Sequence, residues 1–157
     1  MQAYLITKPG FEKMESELKQ LKQVERPNII KAIAEARAHG DLKENAEYHT
    51  AKDKQGFIEG RILDYSDKIA RSHVIEPEKI EADVIRFGAT IKILDEKTEV
   101  EITYQIVSDY EADVKVSRIS VSSPIARHLL GKSVDDSVEI ITPRGTKHYS
   151  VISIEYK

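Results

Sequence analysis

Apolar positions in the first half of the chain recur with a helical period. Phe11, Met14, Leu18 and Leu21 follow the 3-4-3 spacing of a coiled-coil seam. Ile29, Ile33 and Ala36 resume that seam after a shift of phase. Tyr48, Ala51, Gln55, Ile58, Ile62, Tyr65 and Ile69 then keep one heptad register, in which only Gln55 lacks an apolar body. Between the runs lies His39-Gly40-Asp41-Leu42-Lys43-Glu44-Asn45. Gly40 suits the position just after a helix end, and Asp41 suits the N-cap of the next helix. So short a loop predicts antiparallel neighbours. The pattern predicts a helical hairpin over residues 1–76, with its tip near 40–45 and arms of roughly 28 residues, about 42 Å at 1.5 Å per residue.

Pro27 falls inside the first arm, where proline costs about 3 kcal/mol and kinks a helix. Gly56 and Gly60 lie at a similar height on the second arm if Leu42 marks the turn. Two readings stand: the glycines let a bent backbone come close, or each of the three residues is tolerated separately.

After Glu76-Pro77-Glu78, which reads as a linker, the period changes. Val100, Ile102, Tyr104 and Ile106 alternate with mostly polar residues, as a half-buried strand does. Ile91 with Ile93, and Val138 with Ile140, repeat this over shorter runs, and Thr142-Pro143-Arg144-Gly145-Thr146 marks a turn. Ser123 as N-cap, Pro124 in the first helical position and Gly131 beyond the end predict one short helix. Residues 77–157 therefore read as a small antiparallel sheet with a helix packed on it, and the chain as α+β.

Composition narrows the function. Hydrophobic residues make up 40% of the 157, enough for a core. The 24 Lys and Arg nearly balance 27 Asp and Glu, which argues against coating nucleic acid or an anionic membrane by bulk charge. Residues 1–77 carry 13 bases and 13 acids, so the net charge of -3 lies wholly in the second half. The absence of cysteine excludes disulfide scaffolds, Cys-ligated zinc and thiol catalysis. No apolar run is long enough to span a bilayer, and Met1-Gln2-Ala3-Tyr4 does not open a secretion signal, so a cytoplasmic protein is expected.

Chemistry concentrates at the tip. Asp41 and Glu44, three residues apart, form either a capping box for the second helix or a pair of carboxylates held out on a rod. Mg²⁺ is often held by one or two carboxylates together with substrate phosphates, so the second reading requires further ligands from a partner. Arg37, Lys43, Lys52 and Lys54 lie nearby, as a solvated face or as contacts to phosphate. The five histidines have no metal-ligand spacing, and there is no Gly-rich phosphate loop or nucleophile elbow. With 6% aromatic residues and no tryptophan, a base-stacking platform is not expected.

The run from Ala34 to His49 resembles the hairpin tip of the bacterial GreA/GreB transcript cleavage factors. The resemblance continues at Gln55-Gly56-Phe57-Ile58-Glu59-Gly60-Arg61-Ile62, at Phe87-Gly88-Ala89-Thr90, at Tyr104-Gln105-Ile106-Val107 and from Ile119 to Arg127. It implies an FKBP-like second domain that docks on RNA polymerase, and a hairpin that enters the polymerase secondary channel. It further implies that Asp41 and Glu44 help hold a Mg²⁺ ion shared with the polymerase active site. The polymerase would then hydrolyse its own backtracked transcript at the RNA 3′ end, and the factor is not an enzyme alone. Arg37 and Lys52 match the RNA-proximal basic positions. Ser122, Ser123 and Pro124 match the docking stretch, and a monomer is expected. The absence of cysteine separates the chain from a zinc-bearing factor with a similar hairpin. Three rivals remain: a paralogue that inhibits cleavage, a prolyl isomerase with a client clamp, and a coiled-coil adaptor whose tip acids are only caps.

Overall fold

The computed structural model describes residues 2–40 and 45–157. Its contacts divide into two compact units. One comprises Phe11–Ser72, and the other joins Ala3–Gly10 to His73–Lys157. The segment Ala3–Gly10 thus clusters with the sheet-bearing unit, whereas the sequence boundary assigns residues 1–76 to the hairpin.

From Phe11 on, the first unit holds α1 (Lys8–Gln20), which leads into a π-helical turn (Leu21–Glu25), then α2 (Arg26–Arg37). The returning arm is α3 (Ala46–Arg71). Antiparallel pairing buries the seam that the heptads mark: Leu21, Ile29, Ile33 and Ala36 from one arm, and Ala51, Ile58, Ile62 and Tyr65 from the other. The π turn accounts for the shift of phase. Its Arg26 N–H bonds to the Leu21 carbonyl, a five-residue step that adds one residue to the turn. A 3-4 repeat continued from Leu21 would put an apolar residue at 28, and the seam resumes one residue later, at Ile29. Pro27 then falls in the first turn of α2, where its missing N–H is tolerated.

The close-approach reading of Gly56 and Gly60 fails. A Cβ added at either meets nothing within 4 Å, because both lie on the exposed back of α3. What ties the arms at this height is Arg26. Its Nε and Nη2 donate to the two carboxylate oxygens of Glu59 at 2.9 and 2.8 Å, and that carboxylate raises the Arg26 pKa further.

The second unit contains β1 (Tyr4–Thr7) paired with β2 (Ser72–Ile75). A separate five-stranded sheet is built from β3 (Thr90–Asp95), β4 (Glu101–Val107), β5 (Arg118–Ser120), β6 (Ser137–Thr142) and β7 (Gly145–Glu155). Its spatial order is β5-β4-β3-β7-β6, antiparallel except for the β4–β5 pair. Alternation decides which face is buried: Ile91, Ile93, Val138, Ile140 and Val151 point into a core closed by Ala126 and Leu129 of α4 (Pro124–Leu129). Pro77, expected in a linker, is buried in a 3₁₀ turn. Its Cγ would lie 3.2 Å from a Cβ added at Gly88, whose φ of +90° also favours glycine.

The start of α1 is capped from far along the chain. Thr7 Oγ1 accepts from Gly10 N–H at 3.2 Å, as an N-cap does. Glycine stands where a capping box carries Glu, and Glu111 supplies the missing carboxylate. It accepts from the Thr7 N–H at 3.2 Å and from the Thr7 hydroxyl, and also from the Ser108 hydroxyl at 2.8 Å. A methyl group on Gly10 would overlap that carboxylate.

Candidate functional site at the hairpin tip

α2 ends at Arg37, with Ala38 N–H and His39 N–H bonding back to the Glu35 and Ala36 carbonyls at 3.2 and 3.1 Å. Gly40 lies two residues beyond the C-cap Ala38, one further than expected, with a φ of +127° that favours glycine. Asp41 and Glu44 lie outside the described residues. The N-cap of α3 is Asn45. Asn45 has extended backbone angles, and its Oδ1 accepts from the Tyr48 N–H at 3.0 Å. The third helical position of α3 is therefore Tyr48.

The same asparagine reaches across the turn. Its Nδ2 donates to the Ala36 carbonyl at 2.6 Å, joining the last turn of α2 to the first of α3. A second tie lies beside it: the Arg37 guanidinium carbon stands 5.6 Å from the Tyr48 ring centroid, within cation–π range. Tyr48 also meets His49 edge-on at 5.5 Å. Lys52, one turn beyond Tyr48 on α3, is exposed and donates to Gln55 Oε1 at 3.1 Å. Of the two bases expected near phosphate, Arg37 is thus held on a ring and Lys52 is lightly tethered. Among the described residues, no group of three or more His, Asp or Glu could hold a metal.

Sequence reasoning missed the cap at Asn45, the ring contact between Tyr48 and Arg37, and the Arg26–Glu59 pair. Asn45 had a local signal, since asparagine ranks with aspartate as an N-cap and stands three residues before the first heptad position. The other contacts join residues on different arms.

In the second unit, Ser123 Oγ caps α4 by accepting from the Ala126 N–H at 3.3 Å, as expected. Pro124 opens that helix, and the Ser120 and Ser122 hydroxyls bond at 2.8 Å. Ser122 and Pro124 are exposed, and Ser123 is half-buried.

Residues 4–74 match the family described as transcription elongation factor, N-terminal, and residues 80–156 match its GreA/GreB C-terminal counterpart. The chain belongs to the GreA/GreB family of transcription elongation factors. Transcription elongation factor GreA of Rickettsia felis is 56% identical over 97% of this chain and 94% of its own length. GreA of Caulobacter sp. strain K31 is 52% identical over 99% of each. Among solved structures, GreA factor homolog 1 of Thermus thermophilus is 26% identical over 98% of this chain and 99% of its own, at a TM-score of 0.46. Membership of the GreA/GreB family bears out the sequence resemblance and places the chain in transcription elongation. Among the described residues, no helix is long and apolar enough to cross a membrane.

Proposed function

We propose that the chain is an accessory factor of RNA polymerase that enters the secondary channel and stimulates the polymerase's own cleavage of backtracked transcripts. It acts as a cytoplasmic monomer and hydrolyses nothing by itself. Asp41 and Glu44 are the groups that would hold Mg²⁺ together with ligands of the polymerase and the RNA 3′ end. Their hard oxygen donors suit that ion, and two carboxylates are too few to fill its shell. When bound, the ion would lower the pKa of the attacking water and stabilise charge on the leaving oxygen. Arg37 and Lys52 meet RNA phosphates near the tip. Ser122, Ser123 and Pro124 contribute to docking.

The observation that supports the tip reading is the cap of α3. The bland explanation for two acids at this spacing is a capping box, and Asn45 fills the cap itself. The experiment is a cleavage assay on backtracked polymerase in Mg²⁺, comparing the wild-type chain with Asp41→Asn plus Glu44→Gln. Both substitutions keep shape and remove charge. Stimulation should fall by about a hundredfold or more, the rate equivalent of several kcal/mol of charge stabilisation, with polymerase binding unchanged. A variant that cleaves as well as wild type would overturn the metal-ligand role. A wild-type chain that binds and only inhibits would favour the inhibitory paralogue.

A further inference from the structure

One loop of the second unit shows apolar side chains to water from a rigid frame. It joins β4 to β5 and turns at residues 113–118. Two backbone bonds close the turn, from Asp113 N–H to the Arg118 carbonyl at 2.9 Å and from Arg118 N–H to the Asp113 carbonyl at 3.0 Å. Between them lies a 3₁₀ turn, Val114–Val116, capped by Asp113 Oδ1, which accepts from the Lys115 N–H at 3.0 Å. The Ser117 carbonyl accepts from the Gln105 N–H of β4 at 2.9 Å, which fastens the loop to the sheet. Ser117 itself has a φ of +58°, in the left-handed region that residues other than glycine seldom enter. These bonds hold the loop in one strained shape. Yet Val114 is 78% exposed and Val116 is 57% exposed. Turns favour Gly, Pro, Asn, Asp and Ser. The two valines serve neither turn chemistry nor the core of the unit, in which neither takes part.

A single apolar side chain on a surface is ordinary. Two valines on one rigid loop are ready anchors for a partner, because little conformational freedom is left to lose when they dock. Lys115 and Arg118 flank them. Both are exposed and, among the described residues, neither has an acid at ion-pair distance. The loop thus carries two bases against the one acid Asp113, on a half of the chain whose net charge is -3. Apolar anchors between cations fit a protein surface with an apolar groove and an acidic rim. An RNA backbone offers phosphates to the cations but nothing to cover the valines. The loop also adjoins the proposed docking stretch. β5 starts at Arg118, lies at the edge of the sheet and ends at Ser120, two residues before Ser122. The two features thus lie at opposite ends of one short strand, about 10 Å at 3.3 Å per residue. We propose that the loop 113–118 is a second docking element for RNA polymerase, seating Val114 and Val116 in an apolar groove rimmed by acids. The inference rests on RNA polymerase as the partner, as in the proposed function.

Val114→Thr with Val116→Thr tests the loop, since threonine keeps the branched shape and adds a hydroxyl to each anchor. Both positions are exposed, so the melting temperature should stay at the wild-type value. Two measurements apply to the full chain: its affinity for purified RNA polymerase, and the concentration of chain that gives half-maximal stimulated cleavage. The Thr pair should weaken binding about tenfold, as when added polar groups must be desolvated at a contact. The half-maximal concentration should rise by the same factor, with the cleavage rate at saturation unchanged. Lys115→Ala with Arg118→Ala should weaken binding more at low salt than at high salt. Val100→Thr is the control, at a valine that is 54% exposed outside the loop, and should bind as wild type does. A Thr pair that binds as tightly as wild type overturns the inference, and so does a loss no larger than that of Val100→Thr. A wild-type chain that self-associates while the Thr pair stays monomeric would assign the valines to a second copy, and overturns it too. If the wild-type chain does not bind polymerase, the proposed function fails and this inference fails with it. If wild type binds and the Thr pair matches it, this inference fails alone.

Discussion

At the scale of single residues, several positions have duties that their chemistry makes testable. Asp95 Oδ1 accepts from the Lys97 and Thr98 N–H groups at 3.0 and 3.3 Å, which holds the turn between β3 and β4. These bonds push its carboxyl below the usual range. Glu96 is pushed down likewise, first by the Ser150 hydroxyl and then by that of Ser137, at 2.6 and 3.0 Å. A carboxyl that titrates lower when folded stabilises the fold fully above its unfolded pKa of about 4, and that stability drains away as pH falls through the folded value. The sheet unit should therefore melt at progressively lower temperature below about pH 4. Asp95→Asn combined with Glu96→Gln should flatten that acid limb, as thermal melts at stepped pH would reveal. Gly10 offers a second test. A methyl group there meets Glu111, so Gly10→Ala should destabilise the chain by about 1–3 kcal/mol, the usual cost of overpacking, although alanine is the better helix former. A denaturant midpoint equal to wild type would refute that reading.

At the scale of elements, the two arms of the hairpin solve different problems. The returning arm is one uninterrupted helix, and its heptads run unbroken in the sequence. The first arm changes phase, and the π turn before Pro27 absorbs the change. The glycines opposite are not needed for it. Gly56→Ala with Gly60→Ala should stabilise the hairpin by about 1–2 kcal/mol, since each glycine costs a helix up to about 1 kcal/mol relative to alanine and each methyl group would enter open space. A rise of several degrees in the helical melt is expected, whereas a fall would restore the close-approach reading. The Arg26–Glu59 pair is partly exposed, so its role is to set the register of the arms, with little effect on stability. The β5 edge is similar in kind. Its three-residue strand pairs parallel to β4, which alternation alone does not reveal, because parallel and antiparallel partners present the same faces.

At the scale of the whole molecule, balanced charge means that the proposed contacts with RNA would be local. Arg37→Ala with Lys52→Ala should lower stimulated cleavage more at low salt than at high salt, because screening already weakens the wild-type contacts when salt is high. An equal rate at every salt concentration would return both residues to a solvated face. Arg37 also loses a ring contact in that variant, so Lys52→Ala alone should show the salt dependence without altering the tip. The division of the chain has its own consequence. Ala3–Gly10 clusters with the sheet-bearing unit, and Glu111 relies on Thr7 for part of its hydrogen bonding. A fragment cut at 77–157 should therefore melt below the sheet of the intact chain. An equal melting temperature would show that Ala3–Gly10 adds nothing to it.

Local signals carried much of this architecture. The heptads of α3, the strands around Ile91, Ile102 and Val138, and the Ser123-Pro124 helix start were all legible, because periodicity and capping act between residues close in sequence. The family was legible too, from motifs that run through both halves. The π turn that absorbs the phase shift, the cap at Asn45, the split capping box of Thr7 and Glu111 and the cross-arm pairs were decided only by tertiary structure. Each depends on a partner that folding brings near, as Asn45 does on the Ala36 carbonyl of the other arm. Burial of Ala51 and Ile58 against the other arm decides which face of α3 packs inward, because only the assembled pair offers an apolar surface to cover.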